Sequence, residues 1–310
     1  MAHLPPAAIN ILRALCYFHY LTKPQMVELG LAKSVGSLDN HAMPYLAPKR
    51  DKQTGKEIIP KGQRKSAFLC HSLTYGLRDE TDKPGKNHFM YYLTQAGLDR
   101  AYWEFEAGFQ NGDGDLQADD LWIPSEHEQL SNDYHHRRHY VSAHIAIRKW
   151  AARVGAKIDF WQHYYQANPN RPKLHGRPPS RNRVAWDDTG RKFCTPDGLL
   201  GITHQGQSRL YMLELHHRTP TKQVVDQLYR DFRAVRAIKA KFPDYPTGSD
   251  PYVLSVFTSS TDRSAAQRKI QSSGTFDGVR RGLLLAHPEN LVSAPNLAWE
   301  YFDGTEARPI

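Results

Sequence analysis

The sequence predicts two folded units of different class, an α+β unit in residues 1–110 and an α/β unit with a mixed sheet in residues 131–310. Short helical patterns followed by a basic, β-prone stretch predict the first unit. Alternating β and α patterns with apolar runs predict the second, because such alternation is typical of sheets flanked by helices. Residues 111–130 are acidic and contain glycine, and they are predicted to form a linker.

Length and composition are those of a globular protein with more than one domain. The chain has 310 residues, of which 40% are hydrophobic, and this content argues against wholesale disorder. No run of 18 apolar residues occurs, so no membrane insertion is expected. The three cysteines, Cys16, Cys70 and Cys194, lie far apart without a CxxC pair. This spacing argues against a structural zinc or a disulfide framework and favours a cytoplasmic, bacterial location.

Charge is distributed unevenly along the chain. Residues 1–100 carry 14 Lys and Arg against 8 Asp and Glu, and residues 129–310 carry 27 against 16. Residues 101–128 between them hold 8 acids and neither Lys nor Arg. Two basic units around an acidic connector are expected of a protein that binds a polyanion with both units, and double-stranded DNA is the predicted partner. The alternative is a soluble protein that is basic without a nucleic-acid partner.

Three short helices with tight turns are predicted at the start of the chain. Apolar residues at helical spacing predict the first over residues 6–19, and residues 22–25 combine a capping box with proline in the first turn of the second. Ser34 can open a third helix that runs to Leu46. This arrangement is typical of a helix-turn-helix, and the basic stretch after it would form the wing of a winged helix. A helix-turn-helix used for protein contacts is the alternative.

The DNA contacts predicted for the first unit come from its third helix and its wing. A recognition helix reads base edges, while cations of a wing contact phosphates. The predicted residues are Ser37 and Asn40 in the helix and Lys61, Arg64 and Lys65 in the wing.

The second unit is predicted to alternate helices with strands. Helical spacing of apolar residues predicts helices over about 132–154, 221–241 and 262–273. Runs of β-branched, aromatic and other apolar residues predict strands over 157–165, 191–202, 209–217, 251–260 and 281–287. The turn at 203–208 would join the second and third of these strands into a hairpin.

A basic loop is predicted at residues 168–183, because its four prolines forbid a regular helix. The loop contains no acid, and its cations are well placed to contact phosphates. These cations are Arg171, Lys173, Arg177, Arg181 and Arg183. A surface loop without a ligand is the alternative interpretation.

Two carboxylates at the ends of neighbouring predicted strands indicate a metal-binding, catalytic site. Asp197 follows Pro196, and 16 residues separate it from Glu214, which opens the pattern Glu-Leu-His. In a hairpin these side chains can meet, and two close carboxylates stay ionised together only around a hard cation such as Mg²⁺ or Mn²⁺. Such a cation can activate water against a phosphate, as in the PD-(D/E)xK nucleases. The alternative is that Asp197 caps a turn while Glu214 makes a surface ion pair.

The position of the nuclease lysine is occupied by His216. Histidine can bind a metal or act as a base near neutral pH, and Lys222 in the next helix could supply the cation from a migrated position. Because strand side chains alternate, Glu214 and His216 share one face while Leu213 and Leu215 face the core.

A stripe of polar residues is predicted along helix 221–241, beside the two carboxylates and lining a DNA groove. At 100° per residue the stripe comprises Lys222, Asp226, Tyr229, Arg233 and Arg236. Val225, Leu228, Phe232 and Val235 form the predicted core stripe. Tyr229 is either a nucleophile or a boundary residue with its ring in the core.

The order of these motifs resembles the replication–relaxation family of plasmid and integrative-element proteins. The resemblance is carried by MYYLTQAGLDRAYWEF, RRHYVSAHIAIRKW, TPDGLL, LYMLELHHRT and VLSVFTSS, which cover most of the chain in order. It implies a PD-(D/E)xK-like second domain and a relation to C-type mobilisation relaxases, which nick one DNA strand. By position, Asp197 and Glu214 match the acidic metal residues of that family, whereas His216 departs from its pattern.

The expected function is metal-dependent DNA nicking in plasmid mobilisation or replication. Expected partners are double-stranded DNA, single-stranded DNA at a nick, and relaxosome or replication proteins. The alternative is a non-catalytic DNA-binding regulator of replication or transfer whose nuclease fold is degenerate.

Overall fold

The computed structural model describes residues 4–47, 49–50, 57–58, 68–73, 89–110, 134–165, 180–246, 248, 250–273, 283–286, 299–301 and 306–307. The chain divides into two compact units, Met1–Val141 and Ser142–Ile310. The predicted acidic linker at 111–130 lies outside the described residues. No helix in the described part is long and apolar enough to cross a membrane.

The first unit combines short helices with two antiparallel strand pairs. Its helices are α1 (Pro6–Phe18), α2 (Lys23–Glu28), α3 (Val35–His41), α4 (Met43–Leu46) and α5 (Gln95–Gln110). Its strands are β1 (Lys49–Arg50), β2 (Glu57–Ile58), β3 (Leu69–Leu73) and β4 (Phe89–Leu93). Strand β1 pairs with β2 and β3 pairs with β4, and Leu21 forms an isolated antiparallel bridge to Tyr91 of β4. This bridge joins the α1–α2 connection to the hairpin.

Side-chain caps set the starts of α2 and α3. The Thr22 hydroxyl accepts the Gln25 amide at 3.3 Å, and the Gln25 side chain accepts the Thr22 amide at 2.9 Å, so the predicted capping box is confirmed. The Ser34 hydroxyl accepts the Ser37 amide at 3.1 Å. The predicted continuous third helix is wrong, since the chain breaks at Ala42 and restarts as α4. Pro44 explains the break, because proline has no amide to donate to the helical ladder.

A buried histidine ends α1. His19 is 5% exposed and has a φ of 59°, and its amide bonds to the Leu15 carbonyl. Burial lowers the pKa of His19 from 6.5 to about 3. The folded state therefore keeps His19 neutral at a pH where the unfolded chain takes up a proton.

Acidification is expected to destabilise the protein through His19. The stability that neutral His19 contributes is present above pH 6.5 and is lost as pH falls toward the pKa of the folded state. The loss of unfolding free energy at pH 5 is about 2 kcal/mol. His19→Asn removes the titrating group, and asparagine tolerates positive φ. Denaturant unfolding at pH 7 and pH 5 should show a decrease about 2 kcal/mol smaller in His19→Asn than in wild type. Equal decreases in the two proteins would contradict this assignment.

The second unit is built on a mixed sheet. Its helices are α6 (Tyr134–Val154, which begins in the first unit), α7 (Thr221–Ala234), α8 (Ile238–Lys241) and α9 (Ser260–Ser272), with a 3-10 turn at Val235–Ala237. Its strands are β5 (Lys157–His163), β6 (Val184–Ala185), β7 (Phe193–Cys194), β8 (Gly198–His204), β9 (Gln207–His216), β10 (Tyr252–Phe257), β11 (Leu283–Ala286), β12 (Trp299–Tyr301) and β13 (Glu306–Ala307). Strands β6 and β7 form a separate antiparallel pair.

The main sheet has the strand order β13-β12-β11-β10-β9-β8-β5. Strands β5, β8 and β9 form an antiparallel meander, and β10 is parallel to β9. The predicted mixed sheet is therefore confirmed, and its four strands β5, β8, β9 and β10 position the candidate site. The predicted strand over 191–202 is wrong as a single element, because it splits into β7 and β8 around Pro196.

Both faces of β9 are covered. On one face, Met212 lies between Leu199 and Val253 of the neighbouring strands and packs with Val224 and Leu228 of α7. The core cluster on this face comprises Val184, Cys194, Leu199, Leu210, Met212, Val224, Leu228, Ala234, Val235, Ile238, Val253, Phe257, Ala266 and Ile270. The other face carries Trp161 of β5, whose ring stacks on His144 of α6 with centroids 3.7 Å apart. The sheet thus lies between α7 and α6.

Candidate functional site: a buried carboxylate cluster

Asp197, the residue just before β8, lies opposite Glu214 of β9. Gly198 pairs with Leu213 in the antiparallel register, so the preceding Asp197 lies across from Glu214. The carboxylate of Asp197 accepts the amide of Leu215 at 2.7 Å, which fixes it to β9. Both acids are buried, so Glu214 does not make a surface ion pair.

Asn182 holds the backbone that presents Asp197. Its side-chain amide donates to the carbonyls of Gln162, Pro196 and Asp197 at 3.2, 3.0 and 3.3 Å. The residue is fully buried, although the sequence places it at the end of a basic, proline-rich segment. Sequence reasoning missed it, because no local pattern shows that its partners come from β5 and from the turn before β8.

The Glu214 side chain is 6% exposed, and its Oε1 makes no hydrogen bond. Burial raises its pKa well above the usual range, and the nearby acids Asp231 and Asp197 raise it further. The prediction that Glu214 faces away from the core is wrong, because its face of β9 also carries Met212 and is covered by α7. Glu214 is therefore an acid inside a core layer.

Asp231 of α7 is a third acid, which the sequence pattern did not indicate. It is fully buried, and the Gln227 side chain donates to its Oδ1 at 2.8 Å. Its Oδ2 makes no hydrogen bond. Burial is the main cause that raises the pKa of Asp231 to about 7. The predicted core stripe is confirmed for Leu228 and Val235, which are buried. The pattern did not place Asp231 in the core, because an acid carries no apolar signal.

Cys194 of β7 completes the surroundings of this acid. Its thiol is buried close to Asp231 and Glu214. Burial raises the pKa of the Cys194 thiol far above its usual range, and the nearby Asp231 and Glu214 add to this effect. The sulfur is therefore a thiol at neutral pH and does not offer a thiolate ligand.

His216 lies two residues beyond Glu214, on the same face of β9. Its Nε2 shares a hydrogen bond of 2.8 Å with the hydroxyl of Ser255, the residue that pairs with Glu214 on β10. The imidazole also lies against the ring of Phe257, with centroids 4.7 Å apart. This arrangement holds the ring at the end of β9.

The predicted basic stripe of α7 does not lie beside the carboxylates. At 100° per residue, the centre of the stripe is about 180° around the helix from Asp231. Lys222, Arg233 and Arg236 are exposed, in agreement with that outward position. Tyr229 is half-buried at the edge of the core, and the Arg233 guanidinium lies 5.1 Å from its ring centroid. The prediction that this stripe lies beside the two carboxylates is therefore wrong, whereas the predicted DNA contacts of Arg233 and Arg236 stay a prediction.

The remaining predicted DNA contacts lie at other positions. Arg181 and Arg183 are partly exposed, and the Arg183 guanidinium lies 3.8 Å from the ring centroid of Phe193. Ser37 is half-buried and Asn40 is exposed on α3. The other six cations fall outside the described residues: Arg171, Lys173, Arg177, Lys61, Arg64 and Lys65.

Whether a cation fits between the acids depends on which of their oxygen atoms are without a hydrogen bond. Two buried carboxylate oxygens without hydrogen bonds, Glu214 Oε1 and Asp231 Oδ2, are hard donors of the type that Mg²⁺ and Mn²⁺ prefer. Among the described residues, no three or more His, Cys, Asp and Glu side chains converge as a finished metal site. The donors fit such a cation in chemistry, and binding would require the acid side chains to close around it.

The sequence was compared with models of protein families and with curated proteins. No family model matches the sequence, and no curated protein matches it either. A function is therefore inferred from the acid cluster, the strand topology and the charge distribution.

Proposed function

We propose that the protein binds DNA and nicks one strand with the help of Mg²⁺ or Mn²⁺, as a member of the replication–relaxation family of mobile elements. The observation that carries the proposal is the pair Asp197 and Glu214, two buried acids opposite each other on adjacent antiparallel strands. Repulsion between buried carboxylates opposes folding unless protons or a cation offset it. Because the two acids lower the stability of the fold, we infer that they serve a function.

The topology around the acids supports a PD-(D/E)xK-like second unit. A helix and a strand, α6 and β5, precede the hairpin that carries Asp197 and Glu214, and α7 and β10 follow it. The pattern places its acids on neighbouring strands in this way. The proposed cation would be held by Asp197 and Glu214, and the chemistry it supplies is polarisation of a phosphate and of bound water.

The residues of the chain have separate parts in the proposed reaction. Asp197 is fixed by the Leu215 amide and so presents its carboxylate without a rotamer search. His216, anchored on Ser255, would take the proton of the attacking oxygen, a role for which imidazole is suited near neutral pH. Lys222 is exposed on the outer side of α7 and is assigned to DNA contact instead of catalysis.

For the first unit we propose a winged helix that recognises duplex DNA. Helix α3 follows α2 closely and presents Asn40 to solvent, as a recognition helix must. The β3–β4 hairpin follows these helices and is tied to the α1–α2 connection at Leu21. The predicted wing cations Lys61, Arg64 and Lys65, which precede this hairpin in the sequence, would contact phosphates on either side of the groove.

The test of nicking is incubation of the purified full chain with supercoiled plasmid and Mn²⁺ or Mg²⁺. Open circles should accumulate with time, and chelation should prevent them. Asp197→Asn should give no open circles, whereas Asp188→Asn, at an exposed loop position, should behave as wild type. Persistence of supercoiled plasmid at every metal concentration would overturn the nicking proposal.

A second candidate, a non-catalytic DNA-binding regulator, is favoured by one observation. The cations of α7 face away from the acids, so the lysine that nucleases place beside the carboxylates has no substitute from this helix. In that case the cation would serve stability only. Metal-dependent stabilisation without nicking is the result that selects this candidate.

Duplex affinity is expected to fall steeply with salt, because bound cations displace counterions from phosphates. The expected slope of log affinity against log salt is about −0.9 for each phosphate neutralised. Charge reversal at Arg171, Lys173 and Arg177 should reduce the magnitude of the slope and weaken binding to all sequences about equally. Fluorescence anisotropy with two unrelated duplexes measures both effects. A slope near zero would remove the electrostatic basis of DNA binding.

A further inference from the structure

We infer that Asp231 is a third acidic ligand of the divalent cation at this site, an inference that rests on the proposed function. The sequence pattern assigns the cation to Asp197 and Glu214 alone. Asp231 comes from α7, and it reaches the same face of the sheet as these two acids. The site would then draw its ligands from both strands of the hairpin and from the helix that covers it.

The packing of α7 places Asp231 on the side of the sheet that carries Glu214. Val224 and Leu228 of α7 pack with Met212, which lies two residues before Glu214 on the same face of β9. Asp231 is fully buried on the same side of the helix. The Gln227 side-chain amide donates to its Oδ1 at 2.8 Å and orients the carboxylate.

Two orphaned oxygens are the independent sign of a ligand. Glu214 Oε1 and Asp231 Oδ2 are buried and make no hydrogen bond. Buried polar atoms are almost always satisfied in folded proteins, so each exception requires a physical reason. A cation held by both acids would satisfy both oxygens.

The chemistry of the surroundings selects the class of cation. The donors are carboxylate oxygens and the neighbouring Cys194 sulfur stays protonated, so a hard ion such as Mn²⁺ or Mg²⁺ is favoured over zinc. The Arg230 guanidinium donates to the side-chain oxygen of Gln227 at 2.6 Å. This bond supports the side-chain amide that orients Asp231.

The test is calorimetric titration of the full chain with Mn²⁺. Asp231→Asn should raise the dissociation constant at least tenfold, because a charged ligand is lost. Asp226→Asn, an exposed aspartate on the same helix, is the matched control and should leave the constant within about twofold. Unchanged Mn²⁺ affinity in Asp231→Asn would overturn the inference while leaving the Asp197 and Glu214 site intact. No Mn²⁺ binding by wild type would overturn both proposals, and binding without plasmid nicking would overturn nicking alone.

A measurement on wild type keeps the inference testable if Asp231→Asn does not fold. Protein labelled with ¹³C at aspartate carboxyl carbons is titrated with Mg²⁺, and the carboxyl chemical shifts are followed. The Asp231 and Asp197 signals should shift together and saturate at the same Mg²⁺ concentration, and the Asp226 signal should stay in place. An unshifted Asp231 signal beside a shifted Asp197 signal would also overturn the inference.

Discussion

Glu214→Gln is expected to abolish plasmid nicking, with a loss of about 10³-fold or more, while duplex affinity changes by less than about twofold. The amide keeps the shape of the side chain but removes the charge that would hold the cation. Glu214 lies inside the core layer of β9, so DNA does not need to contact it for binding. Initial rates of open-circle formation and fluorescence anisotropy measure the two quantities on the same preparation.

The same substitution is expected to stabilise the protein without metal. Burial and the neighbouring acids raise the pKa of Glu214, so the folded state binds a proton that the unfolded state releases. Such a group costs stability as pH rises above the unfolded pKa, and glutamine does not carry this cost. The melting temperature of Glu214→Gln should exceed that of wild type, and the difference should be larger at pH 8 than at pH 6. A variant that melts lower at both values, and that nicks normally, would show that Glu214 serves folding only.

Local signals in the sequence are sufficient to predict several elements. The capping box at Thr22 and the cap at Ser34 depend on residues three positions apart, so their pattern is complete within one turn. The β8–β9 hairpin follows from two apolar runs around a short turn, and its register brings Asp197 opposite Glu214. The acid pair is therefore predictable from the sequence, because a hairpin converts sequence spacing into spatial pairing.

The helical phase of α7 could not be predicted in the same way. Val225 and Phe232 fit an apolar stripe, yet both are only half-buried. The buried positions are Val224, Leu228, Asp231, Ala234 and Val235. Tertiary packing rotates the helix so that Asp231 reaches the sheet and the cations face outward. Hydrophobic periodicity treats a buried acid as a surface residue, and for that reason it does not indicate the third carboxylate of the site.

His216→Gln is expected to lower the nicking rate by about 10²- to 10³-fold, with Mn²⁺ affinity and duplex affinity each within about twofold of wild type. Glutamine is the matched variant because its side-chain nitrogen can take the place of the His216 Nε2 atom against Ser255, but it cannot take a proton near neutral pH. The loss would therefore report proton transfer and not the position of β9. Single-turnover rates across pH 5.5 to 8.5 should lose the limb that a histidine base gives to the wild-type profile.

Ser255→Ala is the matched control for that variant. It removes the hydroxyl that anchors the His216 ring, and it keeps the imidazole. We expect a smaller loss of rate, because the ring is still held against Phe257, together with an unchanged shape of the pH profile. If Ser255→Ala costs as much as His216→Gln, the histidine acts through its position at the end of β9. If His216→Gln nicks at the wild-type rate, the proton is taken by another group, and the departure from lysine at this position has no catalytic consequence.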